Sequence, residues 1–535
     1  MPFIIRDIKA ETAFTAEEIF LRALKKVKLG REYLPFCRMN RLSVDARKRE
    51  DIHFCASVWV DTGDASLERR ICSRYGCTPV EDINFHELYR RYERDSIPES
   101  RRPVIAGFGP AGMFAALLLA RCGYRPIVLE RGADADKRKK QAELFKSGGS
   151  FDENTNVQFG EGGAGTFSDG KLVTRVKDTR CRYVLESFAE FGAPAEILYK
   201  AKPHVGTDNL INIVKNIRAE VIRLGGEVRF ETPLTGIGVN IGRVVYAGSG
   251  EDIIPTCGII GAVGHSARDT FTMLHSCGID MEPKAFAVGA RIEHTRQSVR
   301  ESLYGKYSDD PRLPEGEYNL NFTPRDTGRG VYTFCMCPGG TVIDSRSEEK
   351  SIVTNGCSEY ARDGRNSNSA VVVSVSPKDF GDGVFDGMAF CERIERAAYT
   401  AGKGFAPCCT VGSFINGSGD LKDAAVEPTL LPGVTAADFH SFMPSFVTDA
   451  MKRGLSEFSK RMHCFGEKGA VLTAPETRTS SPVRIIRGED MQSLSVKGFF
   501  PCGEGAGYAG GITSAAVDGL RQAEAFMEEE AGLRV

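Results

Sequence analysis

No apolar run in this chain of 535 residues is long enough to span a bilayer. The opening Met1-Pro2-Phe3-Ile4-Ile5-Arg6-Asp7 lacks the basic-then-apolar pattern of a secretory leader, so a cytoplasmic protein is expected. The 16 cysteines include no Cys-x-x-Cys pair and no zinc or iron–sulfur spacing, and no metal site is expected. They stand mostly singly in apolar segments, as Cys55, Cys122, Cys257 and Cys277 do, the way reduced thiols serve as small core residues. Neither sign of charge is in excess. A net charge of −2 gives no global pull toward nucleic acid or a membrane surface. No internal repeat is found, and the length is too great for one core, which implies two to four domains.

Glycine, by contrast, is abundant at 58 residues, as in a protein that repeatedly brings backbone against a ligand. The organising stretch runs from Val104-Ile105-Ala106 through Gly107-Phe108-Gly109-Pro110-Ala111-Gly112 into Met113–Arg121, then to Ile127-Val128-Leu129-Glu130. It reads as buried strand, glycine turn, helix, and second strand ending in an acid. Gly107 permits the turn, Gly109 admits a pyrophosphate to the backbone, and Gly112 lets helix and sheet approach. Pro110 and Ala111 open the helix, whose unpaired N–H groups favour that anion. Glu130, with Arg131 beside it, stands where a carboxylate accepts ribose hydroxyls. The pattern is that of a dinucleotide-binding α/β unit.

The far end of the chain favours FAD over NAD. Phe499-Phe500-Pro501 reads as a strand running into Gly503-Glu504, a pair suited to a ribityl hydroxyl. Gly511-Ile512-Thr513 then opens an apolar helix whose start suits the flavin ring edge. The two ends together resemble a flavoprotein fold of the glutathione reductase type. Between them, Gly162-Gly163-Ala164-Gly165-Thr166 and the following Phe167-Ser168-Asp169-Gly170-Lys171 are too rich in glycine and small polar groups for a core element. They suit a loop wrapped around a ligand. In disulfide reductases of that fold the matching glycines lead into two cysteines, but here none follows until Cys181, which removes the dithiol centre. Val228, in Glu227–Arg229, resembles the strand that supplies backbone contacts to the adenine side, and Gly264 ends a strand that reaches the cofactor.

The expected architecture is α/β: a Rossmann-like FAD-binding domain formed by residues 101–280 and 464–535, interrupted by a β-rich α+β substrate or cap domain at 281–463. Residues 1–100 form a small N-terminal α+β domain, with Thr15 and Glu18 as a capping box, and the polar residues 93–102 as the linker. No second strand-Gly-x-Gly-x-x-Gly-helix follows, so a separate NAD(P) domain is not expected. Between Arg22 and Arg49 stand ten lysines and arginines against two acids, Glu32 and Asp45. That patch is either a solvated face or a dock for RNA or a protein partner.

Five segments together resemble a family of bacterial FAD-dependent dehydrogenases of the NAD(FAD)-utilising type: Phe159–Leu172, Gly264–Asp269, Tyr332–Gly340, Glu476–Ile485 and Pro501–Gly519. Arg41–Lys48 is similar to its amino-terminal domain, while Thr295-Arg296 replaces the Pro-Gln of relatives. The resemblance implies non-covalent FAD and an oxidoreductase without naming its substrate. We expect a small organic molecule, with NAD(P)H open as diffusible reductant. Lys171, Asp169 and Ser168 are the leading catalytic candidates, for charge stabilisation and proton transfer beside the flavin or simply as a loop tie. Cys335 and Cys337 alternate on a strand toward one face, as redox thiols or as two apolar residues. Arg478 and Arg484 are candidates for a substrate anion, or for pairing with an acid.

Overall fold

The structure is a computed structural model and describes residues 1–81 and 83–532. Its centre is a five-stranded sheet in the order Phe499–Pro501, Ile259–Gly261, Val104–Ala106, Ile127–Leu129, Glu227–Arg229. Every neighbouring pair is parallel. The period of two sorts the side chains. Ile105, Val128, Ile260 and Phe500 face the helices Pro110–Arg121 and Ile512–Glu530. Val104, Leu129, Ile259 and Phe499 face an antiparallel meander, Gly236–Asn240, Arg243–Ser249 and Asp252–Pro255. The helix Pro110–Arg121 is apolar all round and almost wholly buried, squeezed between the sheet and the last helix. Glycine is obligatory there: a Cβ on Gly112 would run into the Gly107 carbonyl oxygen, and one on Gly519 into that of Ala111.

The second domain is built on a seven-stranded sheet in the order Asn321–Phe322, Val331–Cys337, Asn366–Val375, Phe286–Thr295, Val471–Glu476, Ala406–Thr410, Val434–Ala436. Val288, Ala290 and Ile292 turn to one face, under the helices Ser445–Ser459 and Asp386–Ala401. On the alternate positions, Arg291 and Glu293 are equally buried. Val471–Glu476 pairs with Phe286–Thr295 and Ala406–Thr410, so the return to the parallel sheet comes after residue 476 rather than at the expected 464. The chain enters and leaves this domain along two antiparallel neighbours, Met281–Pro283 and Val483–Ile485.

The N-terminal unit is a four-stranded sheet, Cys37–Asp45, His53–Val60, Phe3–Ala10, Thr78–Pro79, with helices Ala16–Lys26 and Ala65–Tyr75. The Thr15–Glu18 capping box forms as expected. This unit does not hang on a free linker. Tyr89, Tyr92 and Ile97 join the main core, and Arg94 and Arg101 are tied to Glu530 of the last helix. Leu42 exchanges backbone hydrogen bonds with Tyr199 and Ala201, and Tyr304 and Leu313 of the second domain complete the N-terminal core.

Candidate functional site

A cavity of about 850 Å³ lies between the carboxyl edge of the parallel sheet and the seven-stranded sheet, where open α/β sheets bind ligands. Of the expected cofactor residues, Gly107, Gly109, Pro110, Ala111, Glu130 and Arg131 line it. Gly163, Ala164, Gly165, Gly264, Glu504, Gly511 and Ile512 line it as well. Six do not. Gly112 packs against the strand turn, and Val228 packs against the core. Gly162 adopts φ 83° against the Thr166 side chain, and the Thr166 hydroxyl donates to the Glu161 carbonyl. The Gly503 N–H donates to Asp518 and the Thr513 hydroxyl to the Leu172 carbonyl. These residues shape the wall from behind.

Glu130 has a different first task from the one expected. Its carboxylate accepts from the backbone N–H groups of Phe108 at 2.8 Å and of Gly132 and Gly160 at 2.9 Å. It thereby ties three turns of the cofactor loop and keeps capacity for about one more donor from the cavity. Arg131 is held by Asp269 and Thr270 and lies over the Phe159 ring. Glu504 is the opposite case: among the described residues its carboxylate accepts no hydrogen bond, and it faces the cavity. Burial pushes its carboxyl up to about 7, opposed by Lys284. A ligand hydroxyl would satisfy it.

The loop after the glycines is closed by ions. Lys171 Nζ donates to Asp169 at 2.8 Å and to the Met336 carbonyl, and lies 3.7 Å from Glu317. Arg362 grips Asp169 through Nε at 2.8 Å and through Nη2, and reaches Glu317 at 2.8 Å. Burial works against these charges, and the pairing outweighs it. Lys171 and Arg362 hold the Asp169 carboxyl down at about 2, and Asp169 and Glu317 raise the Lys171 ammonium. Asp169 therefore stays ionised at neutral pH and does not suit a proton shuttle. Ser168 is no freer, since its hydroxyl donates to the Gly165 carbonyl and accepts from the Gly170 N–H.

The two thiols do not alternate simply. A bulge interrupts the pairing between Phe334 and Cys337, and Cys335 takes φ 42°. Both line the cavity, Cys335 open to it and Cys337 buried, and the desolvated wall pushes the Cys335 thiol up to about 12 and the Cys337 thiol up to about 11. Thiols so placed are protonated and poor nucleophiles. Of the two arginines proposed for a substrate anion, Arg478 lines the cavity but is bound by the buried Glu395, which also takes Arg268 and Thr477. Arg484 lies outside the wall, paired with Glu282 at 3.3 Å.

Sequence reasoning missed the residues that brace the site. Arg138 is fully buried and donates to the carbonyls of Asn156, Val157, Gly160 and Glu161. Asp518 joins Arg487 to the Gly503 N–H. The available signal was a lone charge on an otherwise apolar helix face, as Asp518 is in Ile512–Glu530. His265 and Ser266 also face the cavity. Burial and the neighbouring Arg478 and Arg268 push the His265 imidazole down to about 4. In the N-terminal unit, ligand atoms of Asp45, His53 and Cys55 fall within 4.8 Å of one another, though Arg47 already holds both Asp45 oxygens.

Fold and site together define a dinucleotide-binding α/β protein with a cleft walled by a second domain. Over residues 285–479 the chain matches the family described as FAD-dependent protein, C-terminal domain-like. A Clostridium beijerinckii protein, described as uncharacterized, is 44% identical over 512 residues, which is 94% of this chain and 95% of that protein. The chain belongs to the same family as that protein. Glycine-faced walls, an open helix start at Gly109 and the unpartnered Glu504 carboxyl fit FAD, in agreement with the matched family, and the cofactor is FAD. Among solved structures, the chain is similar to halogenase PltM, with 10% identity, TM-score 0.39, and 81% of this chain and 71% of that one covered. It is also similar to a flavoprotein/dehydrogenase from Cytophaga hutchinsonii, with 13% identity, TM-score 0.37, and coverage of 81% and 80%. A glycine oxidase from Bacillus cereus gives 10% identity, TM-score 0.33, and coverage of 81% and 96%. No helix among the described residues is long and apolar enough to cross a membrane.

Proposed function

We propose that this flavoprotein is a cytoplasmic oxidoreductase of the dehydrogenase type, acting on a small organic substrate held between the cofactor and the seven-stranded sheet. Bound FAD supplies the two-electron hydride chemistry, and the protein supplies binding, orientation and charge. The observation that carries the reading is one continuous cavity, walled by the glycine turns on one side and by Tyr332, Phe334 and Cys335 on the other. The helix starts at Gly109 and Gly511 offer N–H groups to anionic parts of a ligand. Lys171, fixed by two carboxylates, holds a positive charge in the wall without changing its protonation. The 16 free cysteines suit a reducing compartment.

The alternative, docking of RNA or a protein on the N-terminal unit, keeps the exposed Arg41 and Lys48 but is weakened where its cations are engaged. Arg47 pairs with Asp45, Arg31 with Glu17, and Arg49 donates to the Ser302 carbonyl. NAD(P)H as diffusible reductant is tested by adding NADH and NADPH anaerobically to the purified protein. Bleaching of the flavin band supports a pyridine-nucleotide-driven cycle. Bleaching by neither, nor by any panel of reduced organic substrates, contradicts the dehydrogenase reading.

A further inference from the structure

Five carboxylates and five cations line the cavity, but they are not evenly spread along it. Deep in the wall they are paired: Glu476 with Arg291 and Arg478 with Glu395. Around Lys171 the carboxylates of the ion cluster, among the described residues, are Asp169 and Glu317. Against them stand Lys171, Arg362 and Lys202, the last at 3.5 Å from Glu317. Arg175, exposed on the same wall, has no partner among the described residues. Four cations therefore meet two carboxylates, and the surplus lies on the most open side chains. Lys202 is 63% exposed.

The backbone fixes where this surplus sits. Leu172 donates its N–H to the Pro203 carbonyl and takes the Thr513 hydroxyl on its own carbonyl. The strap that follows, carrying Val173 and Arg175, is thus clamped between Lys202's neighbour and the start of the helix Ile512–Glu530. Opposite, Tyr332 and Phe334 lie on one side of their strand and line the cavity, half-buried, and the Tyr332 hydroxyl has no hydrogen-bond partner among the described residues. Val173 is 54% exposed, an apolar side chain left bare beside the cations. An apolar panel faced by two surplus positive charges is complementary to a molecule with a flat apolar body and an anionic end.

We infer that the outer end of the cavity is a binding site for an organic carboxylate with an apolar, planar body, its carboxylate taken by Arg175 and Lys202 and its body laid against Tyr332, Phe334 and Val173. This rests on the oxidoreductase reading and names the substrate class for it. Arg175 contributes a fork of donors and Lys202 a point charge, so the carboxylate is fixed at the mouth while the body reaches inward.

The test uses 2-naphthoate as probe, with 2-naphthamide as its neutral match and inorganic phosphate and NADPH as competing anions. Binding to the FAD-containing protein is measured by calorimetry and by perturbation of the visible flavin spectrum. The acid is expected to bind at least about ten-fold tighter than the amide. The double variant Arg175→Gln/Lys202→Gln should remove that preference, leaving amide binding and FAD content unchanged. Equal binding of acid and amide, or an acid preference that survives the double variant, overturns the assignment. Displacement of naphthoate by phosphate or NADPH at comparable concentration, lost in the same variant, overturns the carboxylate in favour of a phosphate-bearing ligand. Calorimetry reads the site whether or not flavin is present, so a colourless protein that still binds naphthoate in this manner defeats the cofactor reading alone.

Discussion

Arg138 carries more of the cofactor loop than any glycine in it. Its guanidinium is fully buried, lies over the Phe167 ring and feeds four carbonyls between Asn156 and Glu161. Burial lowers its pKa to about 10, against the pull of Glu130 and Glu161, so it remains charged. Arg138→Ala would strand those carbonyls, and the expected loss is roughly 3–5 kcal/mol of stability with loss of FAD retention. Denaturant unfolding and flavin content check this, and a loss below about 1 kcal/mol would contradict it. The thiols give a second prediction. With Cys335 and Cys337 both held protonated, Cys335→Ser/Cys337→Ser should leave the electron count of an anaerobic dithionite titration unchanged. Two fewer electrons in the variant would make the pair a redox centre. Neither Arg138 nor the bulge at Cys335 was legible in the sequence. A buried arginine in a charged helix looks like its solvated neighbours, and a bulge leaves the apolar alternation of Val331–Cys337 intact on paper.

Among the elements, the glycines divide into those the fold needs and those the ligand needs. A methyl group on Gly112 meets backbone that cannot yield, whereas one on Gly264 meets nothing within 4 Å and projects from φ +76°. Gly112→Ala should destabilise by several kcal/mol or prevent folding, as overpacking against backbone does. Gly264→Ala should cost only about 1–2 kcal/mol of left-handed strain while weakening FAD binding. Parallel melts and flavin titrations separate the two, and equal effects on both readouts would contradict the division. The strand, turn, helix, strand order at 104–130 was legible because burial on both faces and the glycine spacing agree. The helix Ser445–Ser459 was not. Its stripe of Val447, Met451, Leu455 and Phe458 is present, but the surrounding β-like texture masked it. The domain return at 476 was hidden for a related reason: Val471–Glu476 is as apolar as the strands of the parallel sheet.

For the whole molecule, two buried ion clusters join the domains. Arg362 of the second domain holds Asp169 of the first, and Glu395 of the second takes Arg268 of the first. Burial opposes both carboxylates, yet Lys171 and Arg362 hold the Asp169 carboxyl, and Arg478 and Arg268 the Glu395 carboxyl, down at about 2. A folded-state pKa below the unfolded one adds stability that is fully present above the ordinary carboxylate range. It is lost as pH falls through that range toward the folded value. The advantage of the native chain over Asp169→Asn should therefore be full near about pH 6 and shrink as pH approaches about 2. Melting temperatures of the two proteins across that window check it, and a constant difference would place the stability of Asp169 outside its ionisation. Such clusters draw on residues as far apart in the chain as Asp169 and Arg362, which is why a linear reading saw only the neighbouring Asp169 and Lys171.

Non-covalent FAD in the glycine-walled cavity is read most directly from the visible spectrum of the purified protein, followed by acid release and chromatography of the flavin. The protein should be yellow and release about one FAD per chain. A protein that purifies colourless and takes up no flavin when incubated with FAD would contradict it.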